Sequence, residues 1–234
     1  MDRQEMIEQF RGLRVADVCD AMDAVGLFGR GLLSNEIRPL YRDLEDFTHR
    51  IAGAALTLRY VPTGQEVPNM PPAEFDEWVG RWYRDVSSEP QRQIIQPGDV
   101  LVYDAAGLDV GIIGSNNCLA WMNSGAVGVV TNGGARDTDE LIKQRCPVYS
   151  RYISRGFMPG RVEFDAVNVP INCGGALVRP GDMIVADGDG VIVVPVEKAG
   201  AVADIARGIL DSDKDGRRKL YEQRGLPPDA TVEQ

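Results

Sequence analysis

The chain has one histidine, four scattered cysteines, no long apolar run and too few basic residues to balance its acids, and each shortage removes a class of function. A Ser-His-Asp triad would have to rest on His49, which sits in Asp46-Phe47-Thr48-His49-Arg50 just before a predicted strand and is expected at the surface. Proton transfer therefore falls to carboxylates, water or a metal ion, and 35 acidic residues are available for it. Cys19, Cys118, Cys146 and Cys173 form no C-x-x-C pair, which argues against a zinc site or a redox dithiol and leaves buried free thiols as the expectation. No apolar stretch approaches the roughly 20 residues that span a bilayer, so no membrane partner is expected. The opening Met1-Asp2-Arg3-Gln4-Glu5 lacks the basic start of a secretory signal, and a cytoplasmic location is the expectation. With 25 basic residues and a net charge of -10, the chain repels phosphate backbones, so nucleic acid is not an expected partner.

What is present reads as one globular α/β domain over residues 1–234, with 44% hydrophobic and 26% charged residues. Helical spacing of apolar residues predicts helices over 2–10 and 15–25, the second stopped by Gly26. Ile51 to Tyr60 reads as a strand closed by Pro62-Thr63-Gly64. The polar, Pro-rich segment 62–95 is an insertion carrying Trp78, Trp82 and Tyr83 in a short helix. It reads as a lid or interface element, or as a segment that the tryptophans anchor to the core. Pro97-Gly98-Asp99-Val100-Leu101-Val102-Tyr103-Asp104 is echoed by Pro180-Gly181-Asp182-Met183-Ile184-Val185-Ala186-Asp187, which suggests two hairpin-like units in a layered or barrel-like core. Between the echoes, strands at 110–113 and 127–131 alternate with helices at 116–123 and from Thr138, the mark of an α/β fold. Beyond Pro195 a charged helical extension, 196–234, ends in a tail expected to fray from Pro227 and Pro228.

Two turns are candidates for chemistry. Gly114-Ser115-Asn116-Asn117 leads into a helix whose first amides and dipole suit a carboxylate or phosphate, although Ser115 or Asn116 as a helix cap accounts for the same residues. Asn132-Gly133-Gly134-Ala135-Arg136-Asp137 combines glycines that allow close approach, a guanidinium fork, and a carboxylate suited to a hard divalent cation. Asp137 and Glu140 also have capping-box spacing, and spacing alone does not separate the two roles. No Gly-Lys-Ser/Thr follows, which excludes a P-loop. Asp211-x-Asp213-x-Asp215-Gly216 followed by Glu222 satisfies the calcium-loop pattern, but Arg217, Arg218 and Lys219 fill its centre, and a solvated helix junction is the preferred reading.

Taken in order, Pro97 to Val102, Gly114-Ser115-Asn116, Gly125 to Gly133, Arg136 to Leu141, and Pro180-Gly181-Asp182 through Gly190 to Pro195 resemble the RraA-like family, which includes 4-hydroxy-4-methyl-2-oxoglutarate aldolases. The resemblance runs from about Val15 to Pro195. It implies an α-β-β-α sandwich of the swivelling β/β/α type, assembled as a homotrimer or homohexamer with sites between subunits. It further implies that Asp137 binds Mg2+ or Mn2+, that Arg136 contacts the pyruvate unit of a keto-acid substrate, and that the turn from Gly114 through Ser115 and Asn116 to Asn117 holds its carboxylate. Arg136, Asp137 and Ser115 are then the catalytic positions. The implied reaction is a metal-aided retro-aldol cleavage through pyruvate enolate, with oxaloacetate decarboxylation as a side activity. Ser115 stands where the aldolases have an Asp, and a hydroxyl cannot replace a carboxylate in proton transfer. The family's aldolases also borrow a carboxylate from a neighbour's C-terminal helix, for which Asp211, Asp213 and Asp215 are candidates. The insertion is longer than the family pattern. Some members inhibit ribonuclease E, which makes a non-catalytic binding protein the rival reading. The menaquinone-methylation names used in the family find no glycine-rich nucleoside loop here.

Overall fold

The computed structural model describes residues 2–233. Helix α1 (Arg3–Phe10) starts at a capping box: the Asp2 carboxylate accepts from Gln4 N at 2.7 Å and Glu5 accepts from Asp2 N at 3.0 Å. Helix α2 (Val15–Ala24) follows. Then come β1 (Arg38–Pro39), β2 (Ile51–Pro62), α3 (Pro72–Asp85), β3 (Asp99–Asp104), β4 (Gly111–Ile113) and α4 (Ser115–Asn123). After them run β5 (Gly128–Ala135), α5 (Thr138–Lys143), β6 (Val148–Ile153), β7 (Val162–Val167), β8 (Ile171–Cys173), β9 (Ala176–Val178), β10 (Met183–Asp187), β11 (Gly190–Val194) and α6 (Ala199–Arg224).

Nine strands make one mixed sheet in the order β1-β6-β5-β3-β2-β10-β11, with β4 added to β5 and β7 to β2; β8 and β9 pair separately. Strands β6, β5, β3 and β2 run parallel, whereas β10 and β7 both pair antiparallel with β2. Strand β2 changes partner along its length, from β10 at Ile51–Ala54 to β7 at Leu58–Pro62, and the sheet folds over there. Side chains alternate between faces with the period of two that strands impose. Val100 and Val102 enter an inner core with Ile184, Ala186 and Val193, between the two halves of the sheet. Leu101 and Tyr103 face an outer core beneath Trp121 of α4 and Leu141 of α5. On the far side, Met183, Val185 and Ile192 pack under α1, α2 and α6. The result is the α-β-β-α layering of an α/β fold.

The sequence echo has a local basis but not the expected symmetry. Gly98 and Gly181 both adopt positive φ, at 87° and 84°, and the following carboxylates close identical turns: Gln96 N donates to Asp99 at 2.7 Å, and Arg179 N to Asp182 at 2.8 Å. Burial raises both carboxyl pKa values above the ordinary range. The two strands flank β2, one parallel and one antiparallel, and only β10 belongs to a hairpin.

Four further expectations are corrected. His49 is buried at 2% exposure rather than at the surface, its Nδ1 accepting from Asp43 N at 3.1 Å. The glycine-rich stretch 132–135 is not a turn but the end of β5, where neighbours pack against the missing side chains: a Cβ on Gly134 would lie 1.8 Å from Ser154 Oγ. Asp211 to Glu222 lies inside the continuous helix α6, so it forms neither a calcium loop nor a junction. The tail after Pro228 folds back, with Val232 buried and the carbonyls of Thr231, Val232 and Glu233 accepting from Arg217, Arg218 and Lys214.

Candidate active site

The two turns singled out in sequence meet at one cleft of about 770 Å³, at the carboxyl ends of β4 and β5. Asp137 precedes α5 in a left-handed conformation, φ 55° and ψ 42°, and its side chain makes no cap bond to its own helix. Few residues other than glycine adopt this conformation, and aspartate is one that tolerates it. The carboxylate turns toward the neighbouring element: Ser115 N donates to Oδ2 at 3.2 Å, and Arg136 Nε lies 3.3 Å from Oδ1. The capping-box alternative for Asp137 is thereby set aside.

Two glycines make room for this pair. A Cβ on Gly114 would stand 3.0 Å from Asp137 Oδ2, and one on Gly111 would stand 2.9 Å from the Arg136 aliphatic stem. The Phe157 ring lies 5.9 Å from the Arg136 guanidinium carbon and steadies it. Gly114, not Ser115 or Asn116, is the N-cap residue of α4, so neither side chain caps the helix. Ser115 is buried and its amide donates to Asp137; Gly114, Asn116 and Asn117 line the cleft. The first amides of α4 lack intrahelical acceptors by geometry and give this wall positive character.

The opposite wall comes from the insertion. Tyr83, Arg84, Ser88, Glu89, Arg92 and Gln93 line it. Trp78 and Trp82 are buried, and Trp82 Nε1 donates to Val162 O at 3.2 Å, so the anchoring reading of these tryptophans holds. A clasp joins the insertion to α4: Asn117 Nδ2 donates to Glu89 Oε1 at 2.8 Å, Arg92 Nη2 donates to Asn117 Oδ1 at 2.7 Å, and Arg92 Nε donates to Glu89. Burial raises the Tyr83 phenol pKa, with Arg136 opposing the shift.

Asp213 pairs with Arg14 of its own chain at 2.7 Å and Asp215 with Arg218 at 3.0 Å, and neither lines this cleft. Among the described residues no cluster of three or more His, Cys, Asp or Glu side chains could cage a metal. A single carboxylate, its side chain 37% exposed, fits a hard cation that keeps waters and takes its remaining ligands from a substrate. It does not fit an all-protein metal cage.

An α/β sandwich thus brings an amide-lined turn, a carboxylate and a guanidinium to one cleft. Comparison with known proteins gives the family. The model of the RraA-like family (Aldolase/RraA) matches residues 15–193, and the chain belongs to that family. A relative from Halalkalibacterium halodurans, provisionally named 4-hydroxy-4-methyl-2-oxoglutarate aldolase, is 29% identical over 82% of this chain and 77% of its own length. A Deinococcus radiodurans protein with the same provisional name is 34% identical over 45% of this chain and 68% of its own length. Among solved structures, RraAS2 of Streptomyces coelicolor, described as an unusual member of the RNase ES inhibitor RraA protein family, superimposes with a TM-score of 0.72 at 25% identity, covering 94% of this chain and 98% of that one. Among the described residues no helix is long and apolar enough to cross a membrane.

Proposed function

We propose that this chain is a lyase that cleaves a 4-hydroxy-2-oxo acid to pyruvate and a carbonyl product, using a divalent cation, Mg2+ or Mn2+, held at Asp137. The observation that carries this reading is the Asp137 carboxylate itself: left-handed, uncommitted to its own helix, and aimed at the amide-lined turn beside Arg136. The provisional aldolase names of the two relatives support the same class of reaction.

In this reading the first amides of α4 receive the substrate carboxylate, through the partial positive charge of a helix N-terminus. Arg136 uses Nε to hold Asp137 and directs its remaining donors at the C2 oxygen, where negative charge develops. As the C4 hydroxyl gives up its proton to water in the cleft, C4 leaves as the carbonyl product, the C3–C4 bonding electrons form the C2–C3 double bond of the enolate with charge on the C2 oxygen, and water then protonates C3 to give pyruvate. Asp137 would hold the divalent cation, which when bound would supply Lewis-acid stabilisation of the charge developing on the substrate. Loss of carbon dioxide from oxaloacetate gives the same enolate and is the proposed side reaction. Glu89 does not serve as the base, because both its oxygens are taken by Asn117 and Arg92. Assembly as a homotrimer or homohexamer belongs to the same proposal.

The likeness to RraAS2 favours a second reading, a protein that binds and inhibits a ribonuclease without turnover. One experiment separates the two. Pyruvate release from 4-hydroxy-2-oxo acids and oxaloacetate is measured with and without Mg2+ or Mn2+, for the wild type and Asp137→Ala, with oligomeric state checked by light scattering. Metal-dependent release that Asp137→Ala abolishes without disturbing assembly supports the lyase. No turnover of any keto acid, with tight binding of ribonuclease E, supports the inhibitor.

A further inference from the structure

A three-carbon pyruvate unit against Asp137, Arg136 and the α4 amides fills only part of a cleft of about 770 Å³. The remaining space faces the insertion, so whatever the substrate carries beyond C3 lies on that wall. The wall is fixed. Tyr60 Oη donates to Ser88 O at 2.9 Å, Gln91 Nε2 donates to Tyr103 Oη at 3.1 Å, and Phe164 N donates to Val86 O at 2.9 Å, while the Glu89–Arg92–Asn117 clasp joins its rim to α4. Fixed donors recognise a ligand with little ordering cost.

Within this wall Tyr83 differs from the two arginines, and it is the one phenol beside the neutral side chains of Ser88 and Gln93. Arg84 is paired with Asp85 and Arg92 with Glu89, whereas among the described residues the half-buried Tyr83 hydroxyl has no protein partner and the charges of Arg136, Glu89 and Asp137 all reach it. A hydroxyl held in a partly desolvated cleft without an acceptor gains most when a ligand supplies one.

We propose that Tyr83 is the specificity-determining donor of this site, giving a hydrogen bond to the C4 oxygen of the substrate. This rests on the reading of Asp137 and Arg136 as the pyruvate site. The phenol keeps its proton throughout; it stabilises the C4 oxygen as the C3–C4 bond opens and transfers nothing. Substrates with an oxygen at C4 are thereby preferred to otherwise equal 2-oxo acids that lack it.

Two reactions of the full-length protein with Mg2+ distinguish this assignment from its parent. Deuterium exchange into the methyl group of pyruvate needs only the pyruvate site, whereas cleavage of 4-hydroxy-2-oxoglutarate also needs the distal wall. Tyr83→Phe is expected to lower the ratio of cleavage kcat/KM to exchange rate at least tenfold, an effect of about the size a single lost hydrogen bond gives. Both rates falling together, or neither changing, overturns the assignment while leaving the parent reading intact. No exchange in the wild type overturns both.

Discussion

Replacing Gly114 by Ala tests the packing of the site with one methyl group. The backbone there is extended, φ -127° and ψ 162°, so alanine fits without strain. Its Cβ would lie 3.0 Å from Asp137 Oδ2, and the carboxylate must yield by a few tenths of an ångström. Ser115 N already stands 3.2 Å from that oxygen, so a small retreat takes the pair beyond useful hydrogen-bond range. A hydrogen bond to an ionised group contributes roughly 1.5–3 kcal/mol when buried. Because the Asp137 side chain is 37% exposed and water replaces part of the loss, about 1 kcal/mol is the appropriate figure here. On the proposed role of Asp137 as the cation's holder, that corresponds to Mn2+ binding weakened about fivefold. Fold stability should hardly move: alanine restricts the unfolded chain by about 0.4–1 kcal/mol but is a poorer N-cap than glycine by a similar amount. Mn2+ titration followed by electron paramagnetic resonance, together with a thermal melt, measures both quantities. Unchanged Mn2+ affinity would refute the argument, and so would a fall in Tm above 10 °C, since about 1 kcal/mol shifts a chain of this size by only roughly 2–4 °C.

Gly111→Ala should differ in kind, because its Cβ would meet the Gly156 carbonyl at 2.8 Å as well as the Arg136 stem; denaturant melts should show a clear loss of stability alongside lost activity. Trp82→Ala removes a buried ring and its bond to Val162, and is expected to cost about 3–5 kcal/mol in urea unfolding while also loosening the cleft wall. Asp17 is fully buried against Arg14, so Asp17→Ala should cost about 3 kcal/mol, whereas exposed Asp213→Ala should cost less than about 1 kcal/mol; equal effects would discredit the distinction. Burial, then the charges of Arg50 and Arg42, lower the His49 pKa below its ordinary 6.5. The unfolded chain therefore binds the proton more readily. The contribution of His49 is complete above about pH 6.5 and is lost as pH falls toward the folded value, so urea midpoints at pH 7.5 and 5.5 should differ more for the wild type than for His49→Gln.

Local chemistry was readable wherever short-range pattern fixes conformation. Apolar spacing locates α1 and α2, the Pro-Gly-Asp echoes mark two identical turns, and the Ser115 and Asp137 segments stand out as candidates, with helix capping left open as the other reading of each. Misreadings arose where partners are remote. The glycines at 133 and 134 look like a turn until Ala105 and Ser154 pack against them, and Asp211 to Glu222 matches a loop pattern but continues the helix whose first half, Ala199 to Leu210, packs on α1 and α2, with the folded-back tail held along it by Arg217 and Arg218. His49 looks exposed in its polar neighbourhood, yet Tyr149 donates to its carbonyl across the sheet at 2.7 Å.

The linear order of residues by itself determined the alternation of strands and helices and the pair Arg136–Asp137, because periodicity and adjacent functional groups are properties of neighbours in the chain. Only the tertiary structure decided which way the Asp137 carboxylate turns and that Tyr83, Glu89 and Arg92 face it. Capping and site geometry share one spacing, and a contact between Asn117 and Glu89, 28 positions apart, depends on how β3 and the insertion pack.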